Sequence, residues 1–292
     1  MTARRKISQK MIHPAILALL LMNGGLQIQA ATTINSADKL ACGANFGWLD
    51  CRGDTNSGAV IGEYVCSGSI YSANVGWINL GGGSPTNGIQ YQNISSNDFG
   101  VNLDGLGNLR GLAYGANIGW INFENTGAPK VDLFTGNLGG YAWSANCGWI
   151  SLSNTIAHLR TDVIVAGADS DHNGLPDAWE LQKYGHLGIN ANDDPDGDGM
   201  SNLQEYLADT NPNDANDNLR ISNFSRNETF TRLHWTARPT RFYEIQRLPA
   251  LDAVSSWEGL GVTPVLGFDT ENVTDSAELN FYRIRAVRPL AP

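Results

Sequence analysis

Four stretches of the chain align without gaps: Gly43-Ala-Asn-Phe-Gly-Trp-Leu-Asp-Cys51, Ser72-Ala-Asn-Val-Gly-Trp-Ile-Asn-Leu80, Gly115-Ala-Asn-Ile-Gly-Trp-Ile-Asn-Phe123 and Ser144-Ala-Asn-Cys-Gly-Trp-Ile-Ser-Leu152. The last two copies extend upstream, with Val101-Asn-Leu and Gly107-Asn-Leu-Arg-Gly-Leu-Ala-Tyr114 matching Val131-Asp-Leu and Gly136-Asn-Leu-Gly-Gly-Tyr-Ala-Trp143. Asn and Gly tolerate positive φ, so each Ala-Asn-x-Gly step suits a tight turn. Trp-Ile-Asn-Leu then alternates as a strand does, with Trp and Asn on one face and Ile and Leu on the other. Each unit reads as strand, turn, strand, turn, strand. One unit cannot bury its own apolar face, but four together can. Residues 31–168 are therefore expected to form an all-β repeat array, with a small barrel, a prism or a propeller-like ring as its open forms.

The repeated aromatics admit two readings. Trp48, Trp77, Trp120 and Trp149 are core residues of the repeats, with Asn45, Asn74, Asn117 and Asn146 as turn formers. Alternatively the same eight residues form a carbohydrate platform, rings meeting sugar C–H faces and amides meeting hydroxyls. Identity across four internal copies is what packing produces, so the core reading leads. The cysteines fall inside the same pattern. Cys51 stands where other copies have Leu80, Phe123 and Leu152, Cys147 where they have Phe46, Val75 and Ile118, and Cys42 where they have Tyr71, Tyr114 and Trp143. These read as structural positions rather than reactive ones. An even count of four (Cys42, Cys51, Cys66, Cys147) in an exported chain predicts two disulfides, with the pairing open among three arrangements.

Export is read from the N-terminus. Arg4, Arg5, Lys6 and Lys10 precede a short apolar run, Ala15 to Met22, and Ile28-Gln-Ala30 offers a cleavage site. Residues 1–30 are read as a signal peptide. That segment holds no acidic residue, so the remainder carries 15 basic and 29 acidic residues, net −14. Such a balance argues against nucleic acid as a partner. No later run is long enough for a membrane span. The expected location is secreted, extracellular or cell-surface, with the periplasm as the alternative.

The acidity is concentrated: residues 169–217 hold 12 acidic residues and one basic. Two twelve-residue stretches explain it, Asp169-Ser-Asp-His-Asn-Gly-Leu-Pro-Asp-Ala-Trp-Glu180 and Asp194-Pro-Asp-Gly-Asp-Gly-Met-Ser-Asn-Leu-Gln-Glu205. Both fit D-x-[DN]-x-[DN]-G-x₅-E. Ca²⁺ takes six to eight oxygens at about 2.3–2.6 Å. Side chains at positions 1, 3 and 5 supply them (Asp169, Asp171, Asn173; Asp194, Asp196, Asp198). Position 7 gives a backbone carbonyl (Leu175, Met200), and position 9 a direct or water-mediated oxygen (Asp177, Asn202). Position 12 closes with a bidentate carboxylate (Glu180, Glu205). Two Ca²⁺ sites are expected. Helices are expected over 177–184 and from Ser201 as N-cap to Leu207, ending near Gly185 and Asn211-Pro212.

Only residues 181–193 separate the loops, too few for paired helix-loop-helix hands, and Pro176 removes an N–H from the first. The segment resembles the thrombospondin type-3 and dockerin class of loop-then-helix modules, and Glu205-Tyr-Leu-Ala-Asp-Thr-Asn-Pro-Asn213 extends the thrombospondin type-3 likeness. The resemblance implies constitutive Ca²⁺ binding. The N-terminal repeats resemble the Ala-Trp-Ser-x-Asn-x-Gly-Trp-Ile repeats of exported bacterial proteins, which implies a cellular setting but no reaction.

Residues 218–292 alternate apolar and polar over 219–221, 232–236, 242–246 and 281–285, with Pro239, Pro249, Pro264 and Gly261 between. The order of Trp235, Tyr243-Glu-Ile-Gln246, Trp257 and Phe281-Tyr-Arg-Ile-Arg285 resembles a fibronectin type III-like domain, implying an antiparallel β-sandwich. Its nine basic residues are all Arg, read as outward-pointing. The whole chain is thus expected to be mainly β: repeat array, calcium module, sandwich.

No G-x-S-x-G, H-E-x-x-H or Walker pattern occurs, and the acidic residues fall where metal explains them, so no enzyme is expected. The leading reading is a secreted calcium-binding structural or adhesive protein, with a rigid calcium spacer holding two β units apart. Its partners would be an extracellular polysaccharide or a cell-surface protein. The alternatives are a carbohydrate-binding protein using the Trp/Asn face and a dockerin-like partner-binding module.

Overall fold

The computed structural model describes residues 32–53, 56–227, 230–250, 255–274 and 280–292. The signal peptide expected over 1–30 lies outside them. The chain is mainly β, and its dominant feature is a closed eight-stranded antiparallel barrel.

Each repeat copy contributes one hairpin to this barrel, hence two strands rather than the expected three. Hairpin 1 comprises Ile34–Gly43 and Gly47–Asp50, and hairpin 2 comprises Ser67–Ser72 and Gly76–Gly82. Hairpin 3 comprises Leu109–Gly115 and Gly119–Phe123, and hairpin 4 comprises Tyr141–Ser144 and Gly148–Ser151. Consecutive hairpins pair edge to edge, and the last pairs with the first through Cys42 opposite Ser151 and Gly43 opposite Ile150. Closure leaves no sheet edge around the ring. The upstream extension of the later copies lies beside the ring: Val101–Leu103 pairs with the first strand of hairpin 3, and Lys130–Val131 with Leu138–Gly139.

Alternation decides what fills the barrel. Ala41, Leu49, Ile70, Ile78, Ala113, Ile121, Ala142 and Ile150 are buried, and they pair across each hairpin as Ala41–Leu49, Ile70–Ile78, Ala113–Ile121 and Ala142–Ile150. Three of the four pairs set Ala against a large aliphatic, which lets opposed residues interdigitate in a narrow bore. Cys51, Leu80, Phe123 and Leu152 continue the filling, and Phe46, Val75 and Ile118 bury against it from the turns. A void of about 50 Å³ with a wholly apolar lining is all that remains inside.

Beyond the barrel, helix α1 spans Asp177–Tyr184 and helix α2 spans Asn202–Ala208. A small cluster of Leu175, Trp179, Ala191 and Tyr206 holds them together. The C-terminal region forms two three-stranded sheets. One orders Ile221–Arg226, Phe230–Trp235 and Thr270–Thr274; the other orders Glu258–Val262, Phe242–Leu248 and Phe281–Val287. Leu233, Trp235 and Val273 of the first share one apolar cluster with Tyr243 and Ile245 of the second. Among the described residues no helix is long and apolar enough to cross a membrane.

Candidate functional site

The two acid-rich loops curl as their spacing requires. In loop 2 the backbone N–H groups of Gly197 and Gly199 donate to the two oxygens of Asp194, at 2.9 Å each. Asp198 N donates to Asp196 at 3.2 Å and Met200 N to Asp198 at 2.8 Å. Gly197 and Gly199 have φ of 77° and 96°, the left-handed turn that lets the loop close. Ser201 then caps α2, accepting from Gln204 N while the Gln204 side chain returns to Ser201 N at 2.8 Å. The helix ends on Asp209 in a left-handed conformation, two residues before Asn211.

This path gathers Asp194, Asp196 and Asp198 so that one carboxylate oxygen of each lies within 4.8 Å of the others; among the described residues no other such acidic set forms. Glu205 is fully buried, with its Oε1 accepting from Thr210 at 3.4 Å. Glu205 Oε2, Asp196 Oδ2 and Asp198 Oδ2 are buried with no partner. Burial, with Asp196 and Asp198 alongside, pushes the Glu205 carboxyl up to about 7. Unpaired buried carboxylates are costly, so this arrangement lacks a compensating positive charge. The donors are all hard oxygens from positions 1, 3, 5 and 12, a set that fits Ca²⁺; Mg²⁺ prefers fewer carboxylates and a rigid octahedron.

The two position-9 side chains, Asn202 and Asp177, make hydrogen bonds of their own. Asn202 is buried between the loops: its Oδ1 accepts from the Tyr184 hydroxyl at 2.5 Å and its Nδ2 donates to Asn190 O at 2.9 Å. In loop 1 both oxygens of Asp177 accept from Ser170, at 2.8 and 2.5 Å. Each position-9 side chain therefore ties one backbone group and one hydroxyl. Asn173 lies between Asp171 and Glu180, donating to them at 3.1 and 3.2 Å and to Ile189 O at 2.8 Å. The Asp169 carboxylate accepts from Asn173 N and Gly174 N, and Glu180, fully buried, keeps Oε2 unpartnered. Leu175 and Met200 occupy position 7 of their loops, and the Leu175 side chain is buried in the cluster beneath.

One charged cluster joins residues that carry no sequence motif. Glu63, on the barrel, accepts from the Tyr206 hydroxyl of α2 at 2.7 Å and pairs with Arg241 and Arg288, both at 3.4 Å. Arg241 also donates to the last carbonyls of α2, Leu207 O at 2.9 Å and Tyr206 O at 3.0 Å. Arg288 stacks over the Tyr206 ring at 5.2 Å. The barrel region, the acidic segment and the C-terminal region thus meet at one half-buried carboxylate. Phe242 packs on Phe134 of the barrel region at 5.5 Å, and Ile164 N donates to Leu290 O at 2.9 Å. The two β parts touch directly through these contacts. Arg241 is correspondingly buried and Arg288 half-buried, not outward-pointing as expected.

The repeat residues divide into two kinds. The turn asparagines form a closed ring: Asn74 Nδ2 donates to Phe46 O at 2.7 Å, Asn117 to Val75 O at 3.1 Å, Asn146 to Ile118 O at 3.0 Å and Asn45 to Cys147 O at 3.0 Å. Each hairpin clips the turn of the one before it, and the fourth is clipped by the first. The four tryptophans are not core residues. Trp48 and Trp77 are 47% exposed, Trp120 42% and Trp149 40%. They lie on the outer wall because the aliphatic residue after each takes the inward position. Tyr71–Trp77, Tyr114–Trp120 and Trp143–Trp149 form cross-strand ring pairs at 4.9, 4.8 and 4.9 Å. Cys42 faces Trp48 at the eighth position of this belt.

The two expected disulfides are not formed; all four cysteines are free. Cys51 and Cys66 serve as apolar filling, and burial pushes both thiols up to about 12. No family model, curated protein or solved structure matches the chain.

Proposed function

We propose that the chain is an exported, calcium-binding structural or adhesive protein whose acid-rich segment locks its two β parts together. One observation carries this reading: Asp194, Asp196 and Asp198 bring a carboxylate oxygen each within 4.8 Å of the others, and Asp196 Oδ2, Asp198 Oδ2 and the nearby Glu205 Oε2 are buried with no partner. A hard divalent cation supplies the missing charge. Asp194, Asp196, Asp198, the Met200 carbonyl and Glu205 would hold it, and loop 1 would hold a second through Asp169, Asp171, Asn173, the Leu175 carbonyl and Glu180. Loop 2 runs straight into α2, whose Tyr206 reaches Glu63 at the junction. Metal in the loop therefore orders the helix that fastens barrel to C-terminal region, which makes the segment a keystone. In this reading the C-terminal sheets form a sandwich and the partners are extracellular polysaccharides or cell-surface proteins.

Calorimetric Ca²⁺ titration of the EGTA-stripped chain, with melts in EGTA and in Ca²⁺, tests the reading. Two sites and a raised melting temperature are expected. No heat and no thermal shift at millimolar Ca²⁺ would overturn it.

A further inference from the structure

The belt pairs are not equivalent. On hairpin 3 the chain covers its own rings: Phe99 packs on Trp120 at 5.1 Å and on Tyr114 at 6.3 Å. On hairpin 4 the Trp143–Trp149 pair opens instead onto a cleft of about 250 Å³. The reason is local. After Phe123 the chain makes a short helical turn, Asn125–Gly127, and Gly127 sits so close to Tyr141 O that any side chain there would collide. That close approach builds the wall opposite the rings without filling the space.

The cleft is lined by Tyr141, Trp143 and Trp149 with Asn122, Glu124 and Thr126. Tyr141 meets Trp149 at 6.1 Å and 75°, and Trp143 meets it at 60°, so the rings form a corner rather than a flat sheet. Asn122 Nδ2 donates to Glu124 Oε1. That bond orients the pair and leaves Asn122 Oδ1 and Glu124 Oε2 to accept, while the Tyr141 and Thr126 hydroxyls can donate or accept. Apolar ring faces beside fixed hydroxyl-binding groups match a pyranose, whose C–H face and equatorial hydroxyls lie on different sides. No basic residue lines the cleft, and the chain is net −10. Uronate and sulfated glycans would meet like charge, so a neutral sugar is the matching class.

We propose that the hairpin 4 cleft binds a hexose unit of a neutral polysaccharide, with Trp143 and Trp149 against the sugar face and Asn122 and Glu124 on its hydroxyls. This goes beyond the calcium reading and does not depend on it.

The test is native affinity electrophoresis of the full chain in Ca²⁺, through gels containing hydroxyethylcellulose, mixed-linkage β-glucan, galactomannan or glycogen, with alginate as the charged comparison. At least one neutral polymer should retard the chain. Trp143 is exposed, so Trp143→Ala should fold and weaken retardation by about tenfold. Glu124→Gln should weaken it several-fold, and Trp48→Ala, elsewhere on the belt, should leave it unchanged. The proposal fails if no neutral polymer retards the wild type, or if alginate is preferred. It also fails if Trp48→Ala costs as much as Trp143→Ala. Release of the polymer by tetramethylammonium chloride would reassign the aromatic corner to organic cations and overturn it as well.

Discussion

Glu205→Gln should act in opposite directions with and without calcium. In the metal-free chain Glu205 is fully buried, has an unpartnered Oε2 and sits beside Asp196 and Asp198. Gln keeps the shape and the Oε1 that accepts from Thr210 while removing the charge. Leaving such a group unsatisfied costs about 1–3 kcal/mol, so the substitution should stabilise the metal-free chain by roughly that amount. At roughly 2–4 °C per kcal/mol, the variant should melt about 2–12 °C above wild type in EGTA. With Ca²⁺ the sign reverses, because Gln removes the bidentate ligand that closes loop 2. At free metal a hundred times Kd, an intact site contributes about 2.7 kcal/mol; a hundredfold loss of affinity leaves about 0.4 kcal/mol. The calcium-induced rise should therefore shrink by roughly 5–9 °C, and calorimetry should count one site fewer. Paired melts in EGTA and saturating Ca²⁺ read both effects. A variant that melts below wild type in EGTA, or that keeps the full calcium response, would show Glu205 to be a packing residue and refute the argument.

Arg241→Met leaves Glu63 and the carbonyls of Tyr206 and Leu207 short of a donor. It should cost about 3–5 kcal/mol and lower calcium affinity by loosening the end of α2, as read by melting and titration. Asn45→Ala breaks the clip between the first and fourth hairpins and Asn117→Ala the clip between the second and third. Each should cost about 0.5–1.5 kcal/mol by chemical denaturation, and equal losses would support a closed ring. Gly148→Ala puts a Cβ at φ 78° and 3.2 Å from Asn45 Nδ2, straining the turn and the same clip, so its cost should exceed that of Asn45→Ala. With Cys51 and Cys66 pushed up to about 12, only about one thiol in ten thousand is ionised at pH 8. Alkylation of the reduced, folded chain should spare these two and modify Cys42 and Cys147, as peptide mass mapping would show.

Much of this architecture was legible because it repeats. The Ala-Asn-x-Gly-Trp-Ile pattern located four tight turns and the strand after each, and the loop spacing placed α1 over 177–184 and gave α2 its Ser201 cap. Other features were not legible, for physical reasons. Closure depends on strand tilt and register around the whole ring, which a local pattern does not encode. The Asn ring joins residues as distant as Asn45 and Cys147. Glu63, Arg241 and Arg288 come from segments that carry no motif, and each resembles an ordinary surface charge until the three parts dock. In the loops, the spacing did not encode the hydrogen bonds by which Ser170 and Tyr184 reach Asp177 and Asn202 within the fold.

The tryptophans carry the more general lesson. Identity across internal copies was read as burial, since packing constrains every copy alike. The copies do share three packing devices: the Asn clip, the positive-φ Gly and the inward aliphatic. The Trp belongs to none of them. Its cross-strand partner differs, as Tyr71, Tyr114, Trp143 or Cys42, and the contact with Cys42 has no aromatic ring at all. A ring pair on a sheet surface contributes only about 0.5–1.5 kcal/mol beyond its area. Hairpin 1 closes into the same barrel without one, so pairing alone does not require Trp at position 48. What the four positions share is exposure on one outer belt, so the packing of the barrel interior does not explain why each copy keeps Trp.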